Sequence, residues 1–219
     1  MAKKIRNGLF MDSLRKTKKG MSYTELQVTS NFSFLRGASH PEELVEHAAQ
    51  LGYTEIAITD GNSLAGIVRA HLGAKKTGIR LIPGCRIDLV DGPGLLALPT
   101  NITGYSKLSN LLTAGNIRTE KGKCLLYKED VFDCTGDIKW ILLPPPKLDN
   151  AFELNPSFKN DLGQYRDAFG KNLYIAVSKL YDGFDNKLLH RLSQLSAFFD
   201  IPLVATNDVY YHHPAGRPV

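Results

Sequence analysis

The sequence is poor in cysteine and lacks long apolar runs, and each shortage excludes a class of protein. Its three cysteines, Cys85, Cys124 and Cys134, are odd in number and show no close spacing. This pattern argues against a disulfide framework or a zinc knuckle, and it is typical of a protein in a reducing cytoplasm. No apolar stretch approaches the roughly 20 residues that a membrane span needs, so we expect no membrane contact.

Positive charge is concentrated at the start of the chain. Residues 1–20 hold seven lysine and arginine side chains and one aspartate, a net charge of +6, whereas the whole sequence carries +5. The other 199 residues therefore carry a net charge of −1, and only the start could bind nucleic acid by charge alone. It also lacks the apolar centre of a secretory signal. We predict a basic, disordered leader over residues 1–21 and one folded domain over residues 22–219.

Short apolar, β-branched runs alternate with segments of helical period, which predicts an α/β fold. This alternation indicates a largely parallel sheet covered by helices, and the number of units favours a small, irregular barrel over an open sheet. The predicted strands are residues 25–28, 55–59, 80–83, 86–90, 95–98, 139–143, 173–177 and 202–206.

Four apolar stripes at helical spacing predict helices with ordinary core faces. The first follows a capping box, Ser39-His40-Pro41-Glu42, with proline in the first turn. Polar, glycine-containing residues 115–137 and the segment from the triple proline at 144 to about residue 157 are predicted loops. The stripes are Leu44, Ala48 and Leu51; Leu64, Ile67, Val68 and Leu72; Leu108, Leu111 and Leu112; and Leu188, Leu192, Leu195 and Phe199.

Polar residues at the carboxyl ends of the predicted strands are the candidate functional groups, because sites in α/β folds gather there. A carboxylate such as Asp60 could hold a cation in this position, but one carboxylate is not a metal site. No nucleophile elbow, Walker loop or dinucleotide fingerprint is present. Phe32 and Phe34 are predicted to anchor their loop in the core rather than to stack on bases. The strand-end candidates are Gln27, Thr29, Asp60, Arg86, Asn207 and Asp208.

Three stretches carry a resemblance to a known family: YTELQVTSNFSFLRGASHPEELVEHAAQLGYTEIAITDGNSLAGIVRAH at 23–71, GYSKLSNLLTAG at 104–115, and PLVATNDVYYHHPAGRP at 202–218. They resemble the polymerase and histidinol phosphatase (PHP) domain, in particular the N-terminal PHP domain of error-prone bacterial DNA polymerase III alpha subunits. The resemblance implies a distorted (β/α)7 barrel. In active members its strand ends hold three metal ions (zinc, manganese or iron) that clamp a phosphoester and generate hydroxide.

Most of the metal-ligand positions that the resemblance implies hold other residues here. Only Asp60 and Asp208 match the family, and a guanidinium at Arg86 would repel cations. We expect the two aspartates to brace the pocket rim by hydrogen bonds, with residual metal ligation as the alternative. The family's opening His-x-His falls on Gln27 and Thr29, its Asp-His pair on Asp60 and Gly61, its glutamate on Arg86, a later histidine near Gly94, and its closing Asp-x-His on Asp208 and Tyr210.

Three hypotheses follow. The favoured one is a non-catalytic PHP domain that supports an error-prone polymerase in replication or repair synthesis and binds no cofactor itself. Its partner would be the rest of the polymerase chain, which we expect to extend far beyond residue 219, to contact DNA and to use magnesium. The second is a metal-dependent phosphoesterase with an altered ligand set of Asp60, Asp208 and His212. The third is a nucleic-acid-binding protein that uses its basic leader.

Overall fold

The structure is a computed structural model that describes residues 23–181 and 183–216; the predicted basic leader lies outside them. Six strands form one mixed sheet in which neighbours along the chain are neighbours in space. The strands are β1 (Glu55–Gly61), β2 (Arg80–Ile87), β3 (Leu95–Pro99), β4 (Ile138–Leu142), β5 (Leu173–Val177) and β6 (Leu203–Ala205).

The sheet is parallel except at β3, which runs antiparallel to both β2 and β4. The prediction of a largely parallel sheet is therefore wrong for this strand. Residues 88–94 connect β2 to β3 and are too few for a crossover helix, so the chain must turn back. The predicted break within β2 is also wrong. A Cβ at Gly84 would lie 2.6 Å from the Leu98 side chain and 2.9 Å from that of Thr59, so glycine here reflects close packing of a continuous strand.

The first described segment completes the barrel. Glu25 forms a parallel bridge to Ile56 of β1, and Val28 forms one to Val209, which follows β6. The N–H of Ala57 donates to the Glu25 carbonyl, and the N–H of Thr29 donates to the Val209 carbonyl, both at 2.8 Å. Residues 25–29 thus lie between the two ends of the curled sheet and supply the seventh unit of the distorted barrel, as isolated bridges rather than as the predicted strand.

Six α-helices occur in the described ranges, with 3-10 turns at Gly170–Asn172 and Pro214–Gly216. A capping box begins the first helix one residue later than predicted: His40 rather than Ser39 is the N-cap, and its N–H donates to Glu43 rather than to Glu42, at 2.8 Å. Two helices lie in or beyond the predicted loops, and the second begins at Pro156, where Asn155 accepts from the N–H of Ser157. The helices are α1 (Pro41–Gln50), α2 (Ile67–Thr77), α3 (Ile102–Ile117), α4 (Lys128–Phe132), α5 (Pro156–Phe169) and α6 (Asp185–Phe199).

The predicted apolar face of α2 is wrong. Val68 is 70% exposed and Leu72 is 62% exposed, whereas the buried face consists of Ala70, Gly73 and Ala74. A Cβ at Gly73 would lie 3.1 Å from the Cα of Glu42 in α1. The two helices approach so closely that only small residues fit between them, and this requirement overrides the apolar stripe.

Successive strand residues face either the helices or the barrel interior. Outward residues such as Trp140 and Leu173 pack with α3, α5 and α6 in the largest core. Ile56 and Ile58 pack beneath α1 and α2 in a second core. The interior is filled by Ala57, Leu96, Leu98, Ile141 and Ala176, so the barrel is packed and a site can form only at its ends. None of the helices in the described part of the chain has both the length and the apolar character needed to span a bilayer.

Candidate functional site

A pocket of about 370 Å³ lies at the carboxyl ends of the parallel strands. Four of the predicted pocket positions line it together: Gln27, Arg86, Asp208 and Tyr210. Its opposite wall is mainly apolar and includes Leu143, three prolines (144–146), Ala176 and Leu188. Asp60, Gly61 and Thr29 are not among its lining residues. The structure therefore brings four of the predicted pocket positions together, whereas Asp60, Gly61 and Thr29 lie outside the lining of the pocket.

The side chain of Asp60 is fully engaged in hydrogen bonds to two serines. The residue is buried, with 1% of its surface exposed. Its Oδ1 accepts from the N–H of Ser30 at 2.8 Å and from the hydroxyl of Ser33 at 2.7 Å, and its Oδ2 accepts from the hydroxyl of Ser30 at 2.8 Å. A Cβ at Gly66 would lie 2.6 Å from Oδ2. The carboxylate thus joins the segment after residue 29 to the end of β1 by hydrogen bonds, and its bracing role stays a prediction.

Gly61 and Thr29 belong to the same support. The N–H of Gly61 donates to the Ser33 hydroxyl at 2.9 Å, and Gly61 pairs with Arg86 across the β1–β2 register. Thr29 is buried, and its N–H makes one of the bonds that complete the barrel. Both positions therefore contribute backbone groups to the support behind the pocket rather than side chains to its interior.

Asp208 forms a polar cluster with Tyr210 and Arg36. The Tyr210 hydroxyl donates to Asp208 Oδ2 in a short hydrogen bond. Arg36 Nη2 donates to the Tyr210 hydroxyl at 3.1 Å and lies 3.5 Å from Asp208 Oδ2. Burial, and then the hydrogen bond to and the charge of Asp208, raise the pKa of the Tyr210 hydroxyl, which therefore stays protonated as a donor. Asp208 has φ +51°, a conformation that aspartate and asparagine tolerate better than most residues.

Arg86 lies on the β2 side of the pocket. Its Nε donates to Asp88 Oδ1 at 2.7 Å. Its two terminal nitrogens make no hydrogen bond or ion pair with any residue that the structure describes. Gln27 is also buried and lines the same pocket. A neutral amide (Gln27) and a positively charged guanidinium (Arg86) thus occupy this side of the pocket, where a divalent cation would need carboxylates or imidazoles.

The strand-end rule did not select Arg36, because the residue lies in the turn after residue 30 rather than at a strand end. The signal for this turn is Gly37, where a Cβ would clash with the carbonyl of Ser30. The same turn overturns the prediction for its aromatic residues. Phe34 is 88% exposed, and the neighbouring Leu35 is 93% exposed. The turn directs Arg36 to the pocket and leaves these apolar neighbours in solvent.

His212, the histidine proposed as a replacement ligand, lies away from the pocket. Its N–H donates to the Ser39 hydroxyl at 2.9 Å, and its Nδ1 is 2.8 Å from the same hydroxyl. Its ring lies 6.0 Å from that of His47 in α1. His212 therefore packs on the outer side of the barrel, which removes the structural basis for a register shift into the site.

The residues at the site do not fit a metal cluster. Across residues 23–181 and 183–216, no group of three or more histidine, cysteine, aspartate or glutamate residues is arranged to hold a metal ion. Of the two aspartates that match the family, Asp60 is bonded to serine groups and only Asp208 lines the pocket. Metal ligation by either aspartate stays a prediction.

An α/β barrel with a pocket at the carboxyl ends of its strands is a class of fold, and the comparison with protein families identifies the family within it. Residues 25–179 match the family model of the PHP domain, and the chain belongs to that family. Within it, the chain is similar to error-prone DNA polymerases, which confirms the resemblance seen in the sequence. It is 46% identical over 198 residues to the error-prone DNA polymerase of Caulobacter vibrioides and 42% identical over 198 residues to error-prone DNA polymerase 2 of Agrobacterium fabrum. Each alignment covers 90% of this chain and 18% of the relative, so the chain spans about a fifth of their length.

Solved structures share the fold at low sequence identity. An amidohydrolase from Chromobacterium violaceum, solved with sulfate and no metal, has a TM-score of 0.64 at 14% identity and covers 85% of this chain and 87% of its own. A protein from Bifidobacterium adolescentis assigned as a metal-dependent phosphoesterase has a TM-score of 0.65 at 16% identity, with 89% of each chain covered. These similarities support the barrel architecture alone.

Proposed function

We propose that this chain is the PHP domain of an error-prone DNA polymerase and serves that polymerase as a structural platform rather than as a phosphoesterase. The observation that carries this proposal is the chemistry of the pocket. Arg36 and Arg86 line the place where the family's active members hold metal ions, and Asp208 is the one acidic residue of its described lining. The similarity to error-prone polymerases supports the choice of parent protein.

Metal-assisted phosphoester hydrolysis needs closely spaced cations that generate hydroxide and neutralise the developing charge. A guanidinium is permanently charged and disfavours a cation close to it. The one carboxylate in the pocket, Asp208, already accepts a hydrogen bond from Tyr210 and lies beside Arg36. No hydrolytic step follows from these groups.

The partner in this proposal is the rest of a polymerase chain, in the cytoplasm, with DNA bound through that larger protein. Nucleotidyl transfer and its magnesium ions belong to that remainder. The share of the relatives that this chain covers, 18%, supports this division of roles. The barrel would contribute a rigid, packed body against which the remainder can fold.

Two substitutions in the full polymerase separate a structural role from a catalytic one. Trp140 is fully buried and stacks on Phe169 with ring centroids 4.9 Å apart; Trp140→Ala should destabilise the barrel by about 3–5 kcal/mol. We expect this variant to lose soluble, active polymerase in primer extension. Gln27→Ala, the matched pocket control, should retain primer extension, because the pocket takes no part in synthesis.

A hydrolysis assay tests the alternative directly. With zinc, manganese or iron added, the purified chain should release no nitrophenol from bis-(p-nitrophenyl) phosphate above the buffer rate. Metal-dependent release that Asp208→Asn abolishes would contradict the proposal and restore the phosphoesterase hypothesis.

A further inference from the structure

The turn at residues 30–37 carries an apolar tip that the barrel leaves exposed. Phe34 is 88% exposed, Leu35 is 93% exposed, and Phe32 beside them is 39% exposed. We propose that this tip is a preformed anchor, which inserts into an apolar pocket on the part of the polymerase that follows residue 219. The inference rests on the proposed function, since it names the surface by which the domain would hold the rest of that chain.

The tip is held in a fixed position by the residues beneath it. The Ser33 hydroxyl donates to Asp60 Oδ1 at 2.7 Å. The Ser33 carbonyl accepts from the N–H of Arg36 at 3.0 Å and from that of Gly37 at 3.1 Å, and the Arg36 side chain is bonded to Tyr210 in the pocket. A surface that is ordered before it binds loses less conformational entropy on binding, so a fixed apolar tip is suited to docking.

Leu35 also has an unfavourable backbone conformation. Its φ is +60°, in the left-handed region that favours glycine or asparagine over residues such as leucine. Burial does not compensate for this within the domain, because the side chain is almost fully exposed. Backbone strain of this kind is typical of functional positions, and the side chain retained here is a large apolar one.

The tip lies beside the route by which the chain leaves the barrel. At the base of the turn, the N–H of Ala38 donates to the Tyr210 carbonyl at 2.9 Å. The Ser39 hydroxyl accepts from the N–H of His212 at 2.9 Å, and a Cβ at Gly216, the last described residue, would lie 4.0 Å from Ser39 Oγ. A polymerase portion that continues this chain would start next to the tip, and a short connection gives it a high effective concentration there.

The composition of the tip favours a protein surface over nucleic acid. Residues 30–35 read SNFSFL and carry no charge. The arginine that follows, Arg36, is bonded to Tyr210 and lies 3.5 Å from Asp208. Nucleic-acid binding draws much of its affinity from lysine and arginine on phosphates, and the tip offers neither. Anchors that fill apolar pockets, aromatic ones above all, carry much of the affinity of protein interfaces.

Photo-crosslinking in the full polymerase tests the proposal. The crosslinking amino acid p-benzoylphenylalanine replaces Phe34, and mass spectrometry maps the products with and without primed DNA. We expect an intramolecular crosslink to a segment after residue 219. A crosslink to DNA, to a second copy of the chain or only within residues 1–219 would overturn the proposal. So would a yield no higher than that from the same replacement at Phe198, the matched control, which is 71% exposed on α6.

Substitution of the tip in two contexts gives a second test. In the 219-residue chain, Phe34→Ser should leave the urea midpoint unchanged, because an exposed side chain contributes little to the stability of the domain. In the full polymerase, the same substitution should speed trypsin cleavage after residue 219 about tenfold, the usual effect of truncating an interface anchor. Phe198→Ser should change neither measurement. Equal cleavage rates in the two variants would reject the tip as an anchor.

Leu35→Asn separates docking from folding, because its two expected effects have opposite signs. Asparagine tolerates the positive φ, so the urea midpoint of the 219-residue chain should rise. Loss of the apolar side chain should make the full polymerase more sensitive to trypsin, and greater trypsin resistance would contradict the proposal. If the tip does not dock, its variants keep the parent's trypsin sensitivity while Trp140→Ala still loses primer extension, so the two proposals can fail separately.

Discussion

Asp60 gives the most direct test of the distinction between a structural and a metal-binding carboxylate. Three donors converge on it: the N–H and the hydroxyl of Ser30 and the hydroxyl of Ser33, all within 2.8 Å. Asp60→Ala removes the acceptor and leaves these donors buried without a partner. If Asp60 braces the barrel, the substitution must lower the free energy of unfolding in the absence of any metal.

The magnitude follows from the number and kind of bonds. A hydrogen bond to a charged group contributes about 1.5–3 kcal/mol, and an unsatisfied buried group costs about 1–3 kcal/mol. The three bonds share one carboxylate, and Ser30 supplies two of them, so their effects will not add in full. We expect Asp60→Ala to destabilise the chain by about 3–5 kcal/mol. Asp60→Asn keeps one acceptor oxygen and should cost only about 1–2 kcal/mol.

Denaturation in urea with EDTA present, monitored by tryptophan fluorescence, measures these differences. Asp167→Ala is the matched control, because Asp167 is exposed and, among the described residues, its one ion pair is with neighbouring Arg166 at 3.4 Å. It should change stability by less than about 0.5 kcal/mol. A loss of less than about 1 kcal/mol for Asp60→Ala would refute the bracing role, and a loss that appears only in metal-loaded protein would identify Asp60 as a ligand.

Three further predictions concern groups outside the pocket interior. Leu35 has φ +60° and is almost fully exposed, so Leu35→Asn should raise the free energy of unfolding by about 0.5–1 kcal/mol in the same urea assay; a loss would contradict the strain argument. Asp130 accepts from Arg118, which holds the pKa of Asp130 below its usual 3.8. The contribution of the Asp130–Arg118 pair to the free energy of unfolding is therefore complete above pH 3.8 and is lost as the pH falls through the lower, folded-state pKa. Because Arg118→Gln removes this pair, the variant should show less acid destabilisation below about pH 4 than the parent chain. An unchanged acid sensitivity would contradict this prediction. Burial raises the pKa of the Cys85 thiol, so iodoacetamide should label Cys124 before Cys85 in the native chain, and early modification of Cys85 would count against its burial.

The sequence patterns within single segments predicted the helix starts and strands that depend on neighbouring residues along the chain. The capping signal at residues 39–42 predicted the start of α1 to within one residue, since His40 is the N-cap and Pro41 and the Glu43 side chain fix the first turn. Short apolar, β-branched runs predicted the strands of the barrel. The buried face of α2 could not be predicted in this way, since it depends on the approach of α1 to Gly73. The reversed direction of β3 likewise follows from a short connection rather than from the strand's own residues.

The site shows the same division. The resemblance predicted that Gln27, Arg86, Asp208 and Tyr210 occupy pocket positions, and these residues line one pocket. It could not predict the separation of Asp60 from that pocket, because this depends on serines some 30 residues earlier in the chain. Arg36 was missed for a related reason: a glycine-dependent turn, rather than a strand, brings it to the site.

The barrel keeps the PHP architecture, but its described residues do not provide the ligands for a metal cluster. Mass-spectrometric metal analysis of the purified chain, after dialysis in chelator-free buffer, measures this difference. We predict zinc, manganese and iron each below about 0.1 ion per chain, because metal affinity depends on the number and geometry of ligands. About one or more ions per chain that survive dialysis, and that are lost in Asp208→Asn, would contradict it.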